Sequence, residues 1–222
     1  MKPYMELGSD AESRANTAAL LLTAVIAAHG GYHLLLGENQ GVLTQGYYVD
    51  YSSLTDEFFR EIRTYYDFII RYATVFFDSE LRDVSMTHVD GDNLEYVFGN
   101  GAYSTYGEAG RIWSIVKEKP SLKVIHLINL IGVSDDYWNQ RKERPTEASD
   151  LIIHIQVDDE VESVFLASPD SDMGRPYMPQ FQMEAGPRGK TLVVFIPRLK
   201  VWSIVVVNVV NAADSQKYAP LL

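Results

Sequence analysis

The sequence predicts an α/β segment followed by an all-β segment, on three observations. An apolar helix runs into Gly30-Gly31 and a short apolar run at Tyr32–Leu36. A second helix, from Leu54 to about Phe77, carries an apolar residue every three or four positions. After Asp78 the period of the apolar residues changes from about 3.6 to about 2, which puts a domain boundary near residue 82 and divides the chain into 1–81 and 82–222.

Taken in order, Ser9-Asp10-Ala11-Glu12 fits a capping box, in which the Ser side chain and the Glu three residues on satisfy each other's free amides. The helix it starts is expected to run to about His29 and to stop at Gly30-Gly31, which can supply a left-handed cap. From Ala18 to Ala28 it is apolar nearly all round, the mark of a helix buried on several sides. Tyr32–Leu36 has no polar alternation and reads as a strand covered on both faces. Residues 37–52 then form a loop longer than a strand-to-helix connection needs, and such loops tend to carry function. A buried strand with a long polar loop at its C-terminal end is the unit from which (β/α) barrels build active sites.

In the second helix Leu54, Phe58, Ile62, Tyr65, Ile69, Ala73 and Phe76 make one stripe, with Asp56, Glu57, Arg60, Glu61 and Arg63 opposite or at its rim. Beyond it come short β-type runs at Val84–Val89, Leu94–Phe98, Ile112–Val116, Val124–Asn129, Leu151–Val157, Val161–Ala167, Thr191–Ile196 and Trp202–Asn208. Turn signals at Asp90-Gly91, Gly99-Asn100-Gly101, Lys119-Pro120, Asp158-Asp159 and Gly186-Pro187 separate them. Many strands at this spacing, without helices between them, predict an antiparallel β-sandwich.

Composition narrows the function classes. Over 222 residues, 46% are hydrophobic and 22% charged, ordinary values for a globular chain. A net charge of -11 argues against nucleic acid, because phosphate binding needs clustered Lys and Arg. The absence of Cys removes disulfides, thiolate metal sites and cysteine nucleophiles. No basic segment followed by an apolar one marks a signal peptide, and Ala18–Ala28 is far shorter than the roughly 20 residues of a membrane span. The chain is therefore read as soluble, without a membrane partner. Its 14 Tyr, 9 Phe and 3 Trp suit a large core or a carbohydrate-binding face.

Most local motifs have plain readings. Gly30-Gly31 keeps His29 and His33 off a common helical face, and no His-Glu-x-x-His occurs, so no metal site is expected. Asp90-Gly91-Asp92-Asn93 lacks the spacing and closing Glu of a calcium loop and reads as a hairpin turn. Gly99-Asn100-Gly101 lacks the third Gly of a dinucleotide fingerprint and sits between strands. No Gly-x-Ser-x-Gly supports a nucleophile elbow. Asp135-Asp136 and Trp138 read as cover for a core edge. The loop remains: Glu38, Asn39, Gln40, Tyr47, Tyr48 and Asp50 supply groups that hydrogen-bond sugar hydroxyls and rings that stack on sugar faces. The alternative is a long surface loop pinned by its tyrosines.

Gly30-Gly31-Tyr32-His33-Leu34-Leu35-Leu36-Gly37-Glu38, Leu43 with Tyr47-Tyr48, and Tyr65-Tyr66-Asp67-Phe68 resemble glycoside hydrolase family 66. So do His126 to Val133 with Trp138, Val161 to Asp170, and Ile196-Pro197-Arg198-Leu199 leading to Trp202. The resemblance covers most of the chain in the family's order. It implies dextranase or cycloisomaltooligosaccharide glucanotransferase chemistry, a retaining reaction at α-1,6-glucosidic bonds, with an α-glucan or isomaltooligosaccharide as partner and no cofactor. It also implies that residues 1–81 are the last helix–strand–helix of a (β/α)₈ barrel and that residues 82–222 are the C-terminal sandwich. His33, Glu38, Gln40, Tyr47 and Tyr48 then become the expected sugar contacts. Leu35 and Gly46 depart from the family, whose members often carry acidic residues there. The family's nucleophile and acid/base lie on earlier barrel strands, and a retaining enzyme needs both carboxyl groups about 5–5.5 Å apart. No residue here inherits either role, so this chain alone is expected to be inactive. A secreted parent enzyme would place it outside the cell or in the periplasm. The first helix, without the rest of a barrel, is expected to lose partners for many apolar side chains, so that both helices either dock imperfectly on the sandwich or drive self-association. The rival reading is a self-contained carbohydrate-binding or interaction sandwich with two N-terminal helices.

Overall fold

The computed structural model describes residues 9–37, 41–43, 51–89, 91–137, 140–186 and 188–210. Helix α1 spans Ser9–Ala28. It stops where the sequence predicts: Gly30 adopts φ +81°, its N–H reaches the Ala27 carbonyl at 2.9 Å, and the Gly31 N–H reaches that of Ile26 at 2.8 Å. This pair of bonds closes a Schellman motif, which needs a residue free of a Cβ at the left-handed position.

Strands β1 (Gly41–Leu43) and β2 (Tyr51–Ser53) pair antiparallel within the segment expected to be loop. Helix α2 spans Asp56–Arg71; the Thr55 hydroxyl caps it by accepting from the Phe58 N–H at 3.3 Å. It buries Phe58, Ile62, Tyr65 and Ile69 of the predicted stripe, and Phe68 beside them. The single helix expected to reach Phe77 is broken at Tyr72, and a short helix α3 covers Ala73–Phe76. Beyond the break Phe76 stacks on Trp202 at 5.4 Å, while the Tyr72 hydroxyl donates to the Gly174 carbonyl at 2.9 Å.

The remaining strands are β3 (Arg82–Asp83), β4 (Tyr96–Gly99), β5 (Tyr103–Ser104), β6 (Ile112–Lys119), β7 (Leu122–Asn129), β8 (Ala148–Gln156), β9 (Glu160–Ala167), β10 (Phe181–Gly186), β11 (Gly189–Leu199) and β12 (Trp202–Val210). They form two largely antiparallel sheets, in orders β3-β6-β7-β12-β9 and β10-β11-β8-β4, with β5 joined parallel to the edge of β6. The antiparallel sandwich is as expected. The expected strand at Val84–Val89 is instead β3 followed by a turn, and Val89 bridges Tyr96 in the parallel sense, so the Asp92-Asn93 turn closes no antiparallel hairpin.

Two cores fill the fold. Between the sheets lie Ile125, Leu127, Ile153, Ile155, Leu192, Val194, Val205 and Val207. On the other face of the six-stranded sheet α1, α2 and α3 pack against Ile115, Val124, Ile128, Trp202, Ile204 and Val206. Alternate residues of β7 and β12 therefore face different cores, which is why both strands are mostly apolar without a regular polar alternation. Of the two outcomes expected for α1, docking on the sandwich is the one observed, and it leaves fewer unpartnered apolar groups than expected: Ala18, Ala19, Leu20, Leu21, Ala24, Ala27 and Ala28 are all buried, under α2 and the outer face of the sheet. No described helix is long and apolar enough to cross a membrane.

A turn at Asp172–Gly174 pegs the sheets to α2. Gly174 has φ +72°, and a Cβ there would lie 2.7 Å from Phe68 Cδ2. Gly174→Ala is expected to lower the unfolding free energy by about 2–3 kcal/mol through backbone strain and overpacking. A urea midpoint equal to that of the parent would refute it.

Candidate functional site

Of the five expected sugar contacts, His33 is described; Glu38, Gln40, Tyr47 and Tyr48 lie outside the described residues, as does Gly46. Tyr32–Leu36 is a correction, for nothing beyond an isolated bridge at Leu36 forms there and its two faces are not both covered. Tyr32 and Leu34 are 73% and 74% exposed, whereas Leu35 is buried in the helix–sheet core. The physical reason is the absence of a flanking strand among the described residues. A side chain takes its place: the Tyr66 hydroxyl accepts from the Leu35 N–H at 3.0 Å and donates to the His33 carbonyl. One phenol thus satisfies a donor and an acceptor that a neighbouring strand would otherwise engage. Burial raises the Tyr66 pKa above its ordinary value, which keeps the phenol protonated and able to donate.

Proton accounting fixes the state of His33. The Thr23 hydroxyl lies 2.8 Å from the Ala19 carbonyl and 2.8 Å from His33 Nδ1. Its single proton goes to the carbonyl, which can only accept, so Nδ1–H donates to Thr23. Burial lowers the His33 pKa, and the imidazole is neutral at pH 7 with Nε2 left as an acceptor. Such a ring can take a hydrogen bond from a sugar hydroxyl. Beside it Tyr32 stacks on Phe77 at 4.2 Å and 18°, and because Tyr32 is mostly exposed it offers an aromatic edge to solvent.

The residues that carried the family resemblance in the sandwich do something else. Tyr65 donates to Asp170 Oδ1 at 2.6 Å, and Asp170 Oδ2 accepts from the backbone of Val201 at 3.0 Å and Trp202 at 2.8 Å. Burial and the adjacent carboxylate hold the Tyr65 phenol well above its ordinary pKa, so it remains a donor. Trp202 is enclosed by Tyr65, Phe68, Phe76 and His126. The Asn129 amide donates to the carbonyls of Thr146, Leu199 and Lys200 at 2.8, 3.3 and 2.8 Å. These groups weld α2 to β12 and close the sandwich ends. They reach no open site, and spacing alone could not have shown the weld, since its partners stand far apart in the chain.

Asp135 behaves as expected of core-edge cover, accepting from the Tyr137 N–H at 2.9 Å and from the buried Lys142. A hollow of about 990 Å³ at one end of the sandwich is lined by charges of both signs, several of them matched. Lys119 pairs with Asp78 at 2.7 Å and Glu80 at 3.1 Å, and Glu118 accepts from Tyr96 at 2.5 Å and Lys123 at 2.9 Å. Among the described residues no cluster of three or more His, Asp or Glu could hold a metal ion.

The family model described as Glycosyl hydrolase family 66 matches residues 1–206. A cycloisomaltooligosaccharide glucanotransferase of Niallia circulans is 30% identical over 190 residues, covering 83% of this chain and 19% of that protein. A dextranase of Streptococcus salivarius is 23% identical over 217 residues, covering 86% of this chain and 26% of the dextranase. A crystal structure of a Paenibacillus cycloisomaltooligosaccharide glucanotransferase complexed with cycloisomaltoheptaose superposes with a TM-score of 0.74 at 26% identity, over 87% of this chain and 27% of that one. The chain thus spans about a fifth to a quarter of the length of the curated relatives it matches.

Proposed function

The chain belongs to glycosyl hydrolase family 66, and from that membership we propose that it is the C-terminal part of a dextranase-like enzyme acting on α-1,6-glucan with retention. The observation that carries the reading is the likeness of this fold, over most of its length, to a glucanotransferase that holds a cyclic isomaltooligosaccharide. In this reading α1, the extended segment at 31–37 and α2 are the end of a (β/α)₈ barrel within residues 1–81, and residues 82–222 are the accessory sandwich. His33, Glu38, Gln40, Tyr47 and Tyr48 touch the sugar, His33 accepting a hydroxyl at Nε2. No residue of this chain matches the family's nucleophile or acid/base, so in this reading the two catalytic carboxyl groups, which a retaining enzyme holds about 5–5.5 Å apart, lie outside it.

Packing of both helices against the six-stranded sheet favours a second reading, a non-catalytic carbohydrate-binding module that includes them. The exposed Tyr32, Leu34 and Ile70 are the surface through which the chain would self-associate. A native gel cast with blue dextran tests these readings. The expected result is slowed migration without a cleared zone. A cleared zone would place catalytic carboxylates in this chain and overturn the partial-enzyme reading. Migration unaffected by dextran would remove its sugar contacts.

A further inference from the structure

Two turns that resemble a calcium loop and a nucleotide fingerprint without being either meet at one cavity. Gly91 and Asn93 line one side and Gly101 another, at the edge of the sandwich where β4 of one sheet faces β5 and β6 of the other. The cavity measures about 350 Å³, within the roughly 300–1,000 Å³ range of small-molecule sites.

The turn at 99–101 shapes its floor. Asn100 takes φ +59° and donates its amide to the Asp150 carbonyl at 2.9 Å. A Cβ on Gly101 would lie 2.9 Å from the Tyr103 ring, so the missing side chain lets that ring lie close against the turn. Tyr103 and Phe98 pair at 4.9 Å, giving the lining an aromatic surface. Asn93 adds an amide and Ser104 a hydroxyl, while the buried Ser114 donates its own hydroxyl to the Ser104 carbonyl at 3.3 Å and holds that wall in place. Arg111 is the one charged side chain among the described lining residues, and Glu108 matches it at 2.9 Å. An aromatic surface with amide and hydroxyl groups and no net charge suits a neutral polyol rather than a phosphate. A second hollow of about 210 Å³ shares Leu94 and Val97 with the first and continues past His154, Gln156, Thr191 and Arg188, whose charge Glu95 matches at 3.7 Å. Two adjoining hollows around one edge strand suit a chain of sugar units better than a single one.

We propose that the sandwich carries its own binding site for a neutral oligosaccharide, seated on Phe98 and Tyr103 and crossing the β4 edge. Its identity as an isomaltooligosaccharide rests on the functional reading above. The site would hold the glucan away from the His33 segment and keep the polymer near the enzyme.

The test is a titration of the isotope-labelled chain with isomaltotriose, read amide by amide. The expected result is saturable shifts within residues 91–105, weakened about tenfold in Tyr103→Ala, the order that loss of one aromatic contact and its packing gives. Asn93→Ala, on a surface turn, is expected to weaken the same shifts if the core tyrosine variant fails to fold. Shifts confined to 31–37 would overturn the sandwich site and leave the functional reading standing. Shifts confined to 91–105 would support the sandwich site and remove His33 from the sugar contacts. No shift in either segment would overturn the sandwich site.

Discussion

Asp170→Ala is expected to lower the unfolding free energy by about 4 kcal/mol, against the roughly 5–15 kcal/mol that a folded domain has in all. Three donors lose their acceptor together: the Tyr65 hydroxyl and the backbone N–H groups of Val201 and Trp202. Hydrogen bonds to a charged acceptor are each worth about 1.5–3 kcal/mol, and a buried donor left unpaired adds its own desolvation cost. The damage is directional, because Tyr65 belongs to α2 while Trp202 begins β12. Amide exchange should therefore accelerate in α2 before it does in β8 and β11, which belong to the other sheet. Tyr65→Phe, which removes one of the three bonds, should cost about 1–2 kcal/mol. Equal urea midpoints for Asp170→Ala and the parent would show that the weld contributes nothing.

His126 should make the fold acid-labile well above the carboxylate range. Burial, with Lys117 and His29 nearby, lowers its pKa to about 3, and its ring stands between Phe76 and Trp202 with no partner for Nδ1. In the unfolded chain the same imidazole titrates near 6.5. Above that pH it is neutral in both states and contributes no slope. Below it the unfolded state takes a proton that the folded state refuses, so stability falls as pH drops from about 6.5 toward about 3. The slope is about 1.4 kcal/mol per pH unit, or about 2 kcal/mol between pH 7 and pH 5. His33, also lowered by burial, adds in the same direction. Asp78, Asp135 and Glu118, held below their ordinary values, lose their contributions only at lower pH. The window from pH 6.5 to 5 therefore isolates the histidines. His126→Leu should flatten the slope there whatever it does to absolute stability, and an unchanged slope would show that His126 is solvated.

Much of the fold was legible because its signals are local. Gly30-Gly31 ends α1 with the expected cap, and the stripe from Leu54 to Phe76 lies on the buried side of α2 and α3. The runs at Ile112, Val124, Leu151, Val161, Thr191 and Trp202 are all strands. Other elements carried no such signal. Tyr32–Leu36 has a strand's composition, but a strand also needs neighbours to bond to. β10 shows little alternation, because Phe181–Gly186 is a sheet edge with most of its side chains in water. His33 was singled out from a motif, whereas its neutral, Nδ1-protonated state depends on Thr23 ten residues earlier in α1.

The sequence by itself determined the C-terminal end of α1, most strand positions, an antiparallel sandwich and the family, since periodicity, caps and ordered motifs reside in neighbouring residues. Tertiary structure alone decided that α1 and α2 cover the outer face of the six-stranded sheet. It alone revealed that Tyr65, Asp170 and Trp202 form one weld and that the turns at 91–93 and 99–101 share a cavity. Those outcomes depend on which distant surfaces bury each other's apolar area and satisfy each other's polar groups, and no local pattern encodes that choice.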